Sequence, residues 1–303
     1  KTRTIVVNVP ASYKDGTEAP LLIMQDGGIF YGGTMDGGLL EWVSNAQSNL
    51  IGSSRALPLF VTIWVANGGG GGERSFEYDT MSDRYARFVE QEVIPAALER
   101  GRKVFPDLRF TTNPDGRATL GCSSGGIAAL TMAFFRPDLF RRVAAFSPSA
   151  VNLQKTGQPE VAQYPQGAWD YHHGLRLLQT QPRRPLRVFV NDNEHDLYSA
   201  GPCPASVKTP TKAFDLNCCD ASTCNDPPTS CAKGCNYDLC DGRHSWELAG
   251  NMTAAALRQG GYEYRHVFAL DQKHCAMGES PNLWTAELVD TLVWVWKGYQ
   301  PGG

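Results

Sequence analysis

The segments of this 303-residue chain best equipped for covalent chemistry are Gly121-Cys122-Ser123-Ser124-Gly125-Gly126 and His274-Cys275. The first contains a G-x-S-x-G pattern, in which the serine occupies a sharp turn between a strand and a helix. Its hydroxyl is then exposed at the C-terminal end of a sheet. A serine hydroxyl is a weak nucleophile until a base takes its proton, and His274 is the natural candidate. A cysteine stands beside each of the two residues. A disulfide between Cys122 and Cys275 would tie nucleophile and base together, because bridged Cα atoms lie only about 4.4–6.8 Å apart. It would also close a loop of about 150 residues, which chain-entropy models value at roughly 5 kcal/mol.

The flanks of Ser123 supply the elements this chemistry needs. Arg117–Gly121 reads as a short buried strand, and Ile127–Phe135 as an apolar helix ended by Arg136-Pro137. Along the rest of the chain, β-type runs alternate with helical ones. Strands are expected at Thr4–Val9, Leu21–Gln25, Leu59–Ala66, Arg142–Ser147, Leu186–Val190 and Tyr264–Ala269, and helices at Ser82–Gly101, Ser124–Phe135, Ser245–Gln259 and Leu283–Lys297. This order implies an α/β fold, with a mostly parallel sheet covered by helices on both faces. Ligands bind such sheets outside the carboxyl ends of the strands, where Ser123 sits. No linker or repeat divides residues 1–303, so a single domain is expected.

A serine hydrolase also needs an acid to orient its histidine, in the chain order Ser, Asp or Glu, His. The cluster Asn191-Asp192-Asn193-Glu194-His195-Asp196-Leu197 follows a strand directly. Asp196 is the preferred acid, on the argument that a few loop residues are needed to reach the histidine; Asp192 and Glu194 stay open. His274 is the preferred base because it follows the last strand by a short loop, whereas His266 lies within that strand and reads as structural. An oxyanion needs preorganised N–H donors. Ser124 supplies one from its backbone, and the turn Asp26-Gly27-Gly28 the second, with Gly28 the preferred residue.

Hydrophobic residues make up 42 % of the chain and charged residues 19 %, which suits a sizeable core. A net charge of −3 gives no reason to expect a nucleic-acid or anionic-membrane partner. No apolar run is long enough to cross a bilayer, since Leu283–Lys297 is interrupted by Glu287 and Asp290. Seven of the nine cysteines, Cys203, Cys218, Cys219, Cys224, Cys231, Cys235 and Cys240, crowd into one stretch without a C-x-x-C pair. Disulfides explain them better than zinc, so no metal or cofactor is expected, and the protein should be secreted or lumenal. Tyr198–Arg243 (198–243) has little apolar periodicity and leaves from the acid cluster. It reads as a Cys-rich insertion forming a lid or wall over the site.

These pieces together resemble the esterase D-like branch of α/β-hydrolases, which includes enterobactin esterases, acetylxylan and feruloyl esterases, and mycolyl transferases. The resemblance rests on Leu21–Gly28 (LLIMQDGG), Arg74-Ser75-Phe76-Glu77-Tyr78, Gly121–Gly126, Asn191–Leu197 and the segment from Gly261-Tyr262 to His274. It implies an oxyanion turn, a structural Arg/Glu segment, a nucleophile elbow, and a triad of Ser123, Asp196 and His274. The Cys-Ser and His-Cys pairs are similar to those of tannases and fungal feruloyl esterases, where a disulfide joins the neighbours of serine and histidine. The expected activity is hydrolysis of a small-molecule or polymer-linked ester through an acyl-enzyme, with feruloyl, acetyl or related esters as the suggested substrates. An acyltransferase using the same intermediate and a non-catalytic binding protein on this fold are the alternatives.

Overall fold

The structure is a computed structural model and describes residues 2–27, 38–50, 57–197, 245–276 and 281–300. Strand β1 (Ile5–Asn8) pairs antiparallel with β4 (Val61–Val65) at one edge of a seven-stranded sheet. The remaining strands, β3 (Leu21–Gln25), β6 (Arg117–Cys122), β7 (Arg142–Phe146), β8 (Arg187–His195) and β9 (Glu263–Lys273), continue it in parallel. The order across the sheet is β1-β4-β3-β6-β7-β8-β9. Two short strands, β2 (Glu18–Ala19) and β5 (Arg109–Phe110), form a separate pair.

Every residue of β3, β4, β6 and β7 is buried, as expected of parallel strands covered on both faces. Side chains alternate between two cores. Leu21, Ile23, Val143 and Val188 face one, with Ile127 and Met132 of α5 (Ser124–Phe135) and Leu248 and Leu257 of α6 (Trp246–Gln259). Leu22, Met24, Leu120 and Phe189 face the other, with Val43 of α1 (Gly38–Leu50) and Leu288, Leu292 and Trp296 of α7 (Pro281–Trp296). Helices therefore lie on both faces of the sheet, the arrangement of an α/β-hydrolase. The first face also carries α2 (Gly70–Tyr78), α3 (Arg84–Phe88) and α4 (Ile94–Gly101), with a π-helical turn at Val89–Val93 between the last two.

Helix α5 matches its expected bounds and is buried from Ser124 to Phe134, which its small and apolar residues permit on all sides. Ser245 caps α6 with its hydroxyl, which accepts the Leu248 N–H at 3.3 Å. The Cys-rich stretch 198–243 and Gly28 lie outside the described residues.

Candidate active site

Strand β6 delivers Ser123 and α5 begins immediately after it. Ser123 has φ 59° and ψ −129°, a backbone conformation that costs energy for any residue with a side chain. Neighbouring backbone holds it there. Its N–H donates to Phe146 O at 3.0 Å, and its carbonyl accepts from Ile127 at 3.1 Å and from Ser149 at 3.0 Å. Such a turn leaves no room at its base: a Cβ on Gly121 would stand 2.3 Å from Gly125 O. Ser124 is the first residue of α5, where backbone N–H groups lack intrahelical acceptors and the helix dipole favours negative charge. Its hydroxyl donates to Asp79 at 3.2 Å. Burial pushes the Asp79 carboxyl up to about 7.

Strands β8 and β9 run further than the sequence suggested. The expected ends at Val190 and Ala269 become His195 and Lys273, which are register partners beyond an irregularity between Asn193 and His195. Asp196 and His274 therefore follow neighbouring strands directly, and no long loop is needed to bring them together. The His274 Nδ1–H donates to Asp196 Oδ1, which also accepts the Leu197 N–H at 2.6 Å. A carboxylate can only accept, so this bond puts the proton on Nδ1 and leaves Nε2 as the basic nitrogen. The Asp196 side chain has 0 % exposure and that of His274 18 %.

Asp192 and Glu194, the other candidate acids, lie inside β8. Asp192 bonds instead to His266 Nε2 at 2.9 Å, and burial pushes its carboxyl up to about 6. His172, distant in sequence from any strand end, is buried against Thr253 at 2.9 Å, and burial lowers it to about 3.

Cys122 and Cys275 form a disulfide with Cα atoms 6.0 Å apart. Cys275 adopts φ 59°, and its N–H donates to Ser147 Oγ at 3.0 Å. Ser147 also accepts from Asn193 Nδ2 at 2.8 Å, so one hydroxyl after β7 joins the acid strand to the histidine turn. Ser149 makes a similar link beside Ser123. Its oxygen accepts the Trp246 indole N–H at 3.0 Å and lies 3.4 Å from Ser123 Oγ, a long contact. The Trp246 ring meets the His274 imidazole edge-on, with centroids 6.0 Å apart. Sequence reading missed Ser147, Ser149 and Trp246. The available signal was Ser147-Pro148-Ser149 at the carboxyl end of a central strand. Ligand atoms of Cys122, His274 and Cys275 gather within 4.8 Å, but sulfurs joined in a disulfide offer no thiolate to a metal.

The early turn is anchored at Asp26, another residue the sequence reading did not single out. Asp26 has φ 61° and is fully buried. Arg74 grips its carboxylate with two bonds of 2.7 Å, Asn67 adds one at 3.1 Å, and the Asp26 N–H donates to Tyr78 Oη at 3.0 Å. Glu77 of the same helix pairs with Arg3 through bonds of 2.8 and 2.5 Å. The Arg74–Tyr78 segment thus fixes the turn that leads into Gly28.

The Esterase family's sequence model matches residues 1–196. The chain belongs to this family. No curated protein sequence matches it. Among solved structures it is similar to the enterobactin esterase FES from Shigella flexneri, crystallised with 2,3-di-hydroxy-N-benzoyl-serine. That match has a TM-score of 0.56 and 16 % identity, covering 97 % of this chain and 55 % of that one. The chain thus spans about half the length of that esterase. It is also similar to a ferulic acid esterase, with TM-score 0.57, 15 % identity, and 98 % and 93 % of the two chains covered. The siderophore hydrolase EstA from Aspergillus nidulans matches with TM-score 0.52 and 15 % identity over 96 % and 89 %. At these identities the likeness establishes the fold alone.

Proposed function

We propose that this chain is a serine carboxylic ester hydrolase working through an acyl-enzyme, with Ser123 as nucleophile, His274 as general base and Asp196 as the acid that orients it. The observation that carries the reading is the Asp196–His274 hydrogen bond, tied through Cys275 and Cys122 to the strained turn of Ser123. Ser123 Oγ attacks the ester carbonyl carbon while its proton passes to His274 Nε2. The oxyanion is met by the Ser124 N–H and by a donor from the Gly28 turn. His274 then gives the proton to the leaving alcohol, and the carbon–oxygen bond to that alcohol breaks. Water repeats the sequence on the acyl-enzyme and frees the acid. Because the Trp246 indole donates to Ser149 Oγ, the Ser149 hydroxyl proton remains available to Ser123 Oγ as negative charge develops there.

The substrate class we favour is a feruloyl or related aromatic ester, with acetyl esters as the small-substrate limit. The ferulic acid esterase and the enterobactin esterase crystallised in the presence of 2,3-di-hydroxy-N-benzoyl-serine, among the similar structures, motivate that choice. Export to an oxidising compartment is supported by the Cys122–Cys275 bridge and the seven further cysteines. A p-nitrophenyl ester assay comparing wild type with Ser123→Ala tests the reading. Activity should fall to background in the variant; full activity would overturn it. Methyl ferulate, with and without a competing alcohol, then measures acyl preference and separates hydrolysis from transfer.

A further inference from the structure

The opposite edge of the sheet carries a different kind of site. Arg142, Arg187 and Glu263 are the first residues of β7, β8 and β9 and stand side by side in register. Around them is a cleft of about 360 Å³. It is lined by Arg141, Arg142, Arg183, Arg184, Arg187 and Lys297 against only Asp115 and Glu263, an excess of four positive charges in a chain whose net charge is −3.

Part of this charge is structural. Arg142 donates to the Asp115 carbonyl at 2.5 Å and to the Val295 carbonyl, and Arg187 to the Trp294 carbonyl at 3.1 Å. The two guanidinium groups thereby cap the end of α7, where orphan carbonyls attract cations. Arg187 also pairs with Glu263, and Arg141 with Asp115 at 3.0 Å. The rest of the charge is not explained in this way. Arg142 is buried among backbone carbonyls and the Trp296 and Tyr299 rings, with no carboxylate salt bridge among the described residues, and both burial and the neighbouring Arg187 disfavour its charge. Arg183 donates to the Gly261 carbonyl at 2.7 Å, and Arg184 to the Pro182 carbonyl at 3.2 Å while stacking on Phe134. Neither has a carboxylate partner among the described residues. A concentration of forked donors around a cavity is the chemistry that recognises a multivalent oxyanion.

We propose that this cleft binds a phosphate-type dianion or polyanion, at the far end of the sheet from Ser123. Its volume falls in the small-molecule range of roughly 300–1,000 Å³, so a phosphorylated small molecule fits as well as a free phosphate.

Isothermal titration with inorganic phosphate, pyrophosphate and acetate, at constant ionic strength set by chloride, tests the proposal. Phosphate and pyrophosphate should bind saturably, pyrophosphate more tightly, and acetate at least 10-fold more weakly. Arg183 and Lys297 are exposed, so Arg183→Glu/Lys297→Glu should keep its p-nitrophenyl ester activity and its unliganded Tm while losing at least 10-fold in pyrophosphate affinity. Equal binding by wild type and this variant would overturn the assignment, as would responses no larger than chloride gives. If the variant loses ester activity or stability, Arg183→Gln alone replaces it, with unchanged affinity counting against the site. Because the anion affinities and the unliganded Tm do not depend on Ser123, failure of the esterase reading leaves the binding test intact.

Discussion

Strands β8 and β9 carry two carboxylate–histidine pairs, Asp192–His266 and Asp196–His274. The residue types are the same, but their surroundings differ. Asp192 lies within β8, beneath Gly250 of α6, where an added Cβ would stand 1.8 Å from its carboxylate. Asp196 lies just past the end of β8, and its histidine is pinned by the Cys122–Cys275 bridge, by Ser147 and by the Trp246 ring. The same residue types thus meet different surroundings according to where on the two strands they stand. One pair closes a core position. The other stands at the carboxyl edge, on the turn joined to the serine.

The largest effect should separate the two acids. Asp196→Asn should lower kcat on p-nitrophenyl acetate by about 10⁴, the loss seen when a triad acid is neutralised. Asp192→Asn should stay within about tenfold of wild type, since Asp192 and His266 both lie inside their strands, short of the ends that carry Asp196 and His274. Reversed outcomes would exchange the roles of the two pairs.

The bridge sharpens the contrast next, because only the Asp196 pair has one. Cys122→Ala/Cys275→Ala should lower kcat by roughly 10²-fold, the penalty expected when catalytic groups drift by about 1 Å. Chemical denaturation should show a loss of stability of up to about 5 kcal/mol, the chain-entropy value for so long a loop. Unchanged kcat with lowered stability would reduce the bridge to a fold staple.

Gly250→Ala should act on the other pair alone. The added methyl meets the buried Asp192 carboxylate, so destabilisation of at least about 1–3 kcal/mol is expected from overpacking, with kcat unchanged in the folded enzyme. The smallest effect concerns pH. Burial raises the Asp192 carboxyl from 3.8 to about 6, so folding favours its protonated form. That stability is fully present below the unfolded value and is lost as pH rises through the folded one. Urea midpoints should therefore show Asp192→Asn gaining on wild type, by on the order of 1–2 kcal/mol between pH 4 and pH 7. A constant difference across that range would contradict the assigned burial effect.

The contrast also explains what the sequence could and could not convey. The bounds of β3 and α5 were legible because five consecutive apolar or amphipathic residues and a long small-residue run leave little choice. Chain order pointed to the acid cluster and His274 as partners, and the structure joins Asp196 to His274. The extension of β8 was hidden because Asn191-Asp192-Asn193-Glu194 has poor strand propensity. It is tertiary partners such as His266, Ser147 and Glu287 that hydrogen-bond the Asp192, Asn193 and Asn191 side chains there. Helix α2, not among the expected helices, opens on Gly70-Gly71-Gly72, residues of low helix propensity, yet it carries the Arg74 that fixes Asp26. Ser147, Ser149 and Trp246 act through contacts between distant segments, which no local pattern records.

The central claim is that Ser123 carries the acyl group. Its most direct test is active-site labelling with a fluorophosphonate, followed by peptide mapping. The account predicts one modified residue, Ser123, with labelling abolished in Ser123→Ala and strongly slowed in His274→Ala. Modification of Ser124, Ser149 or any other side chain, with Ser123 unlabelled, would contradict it.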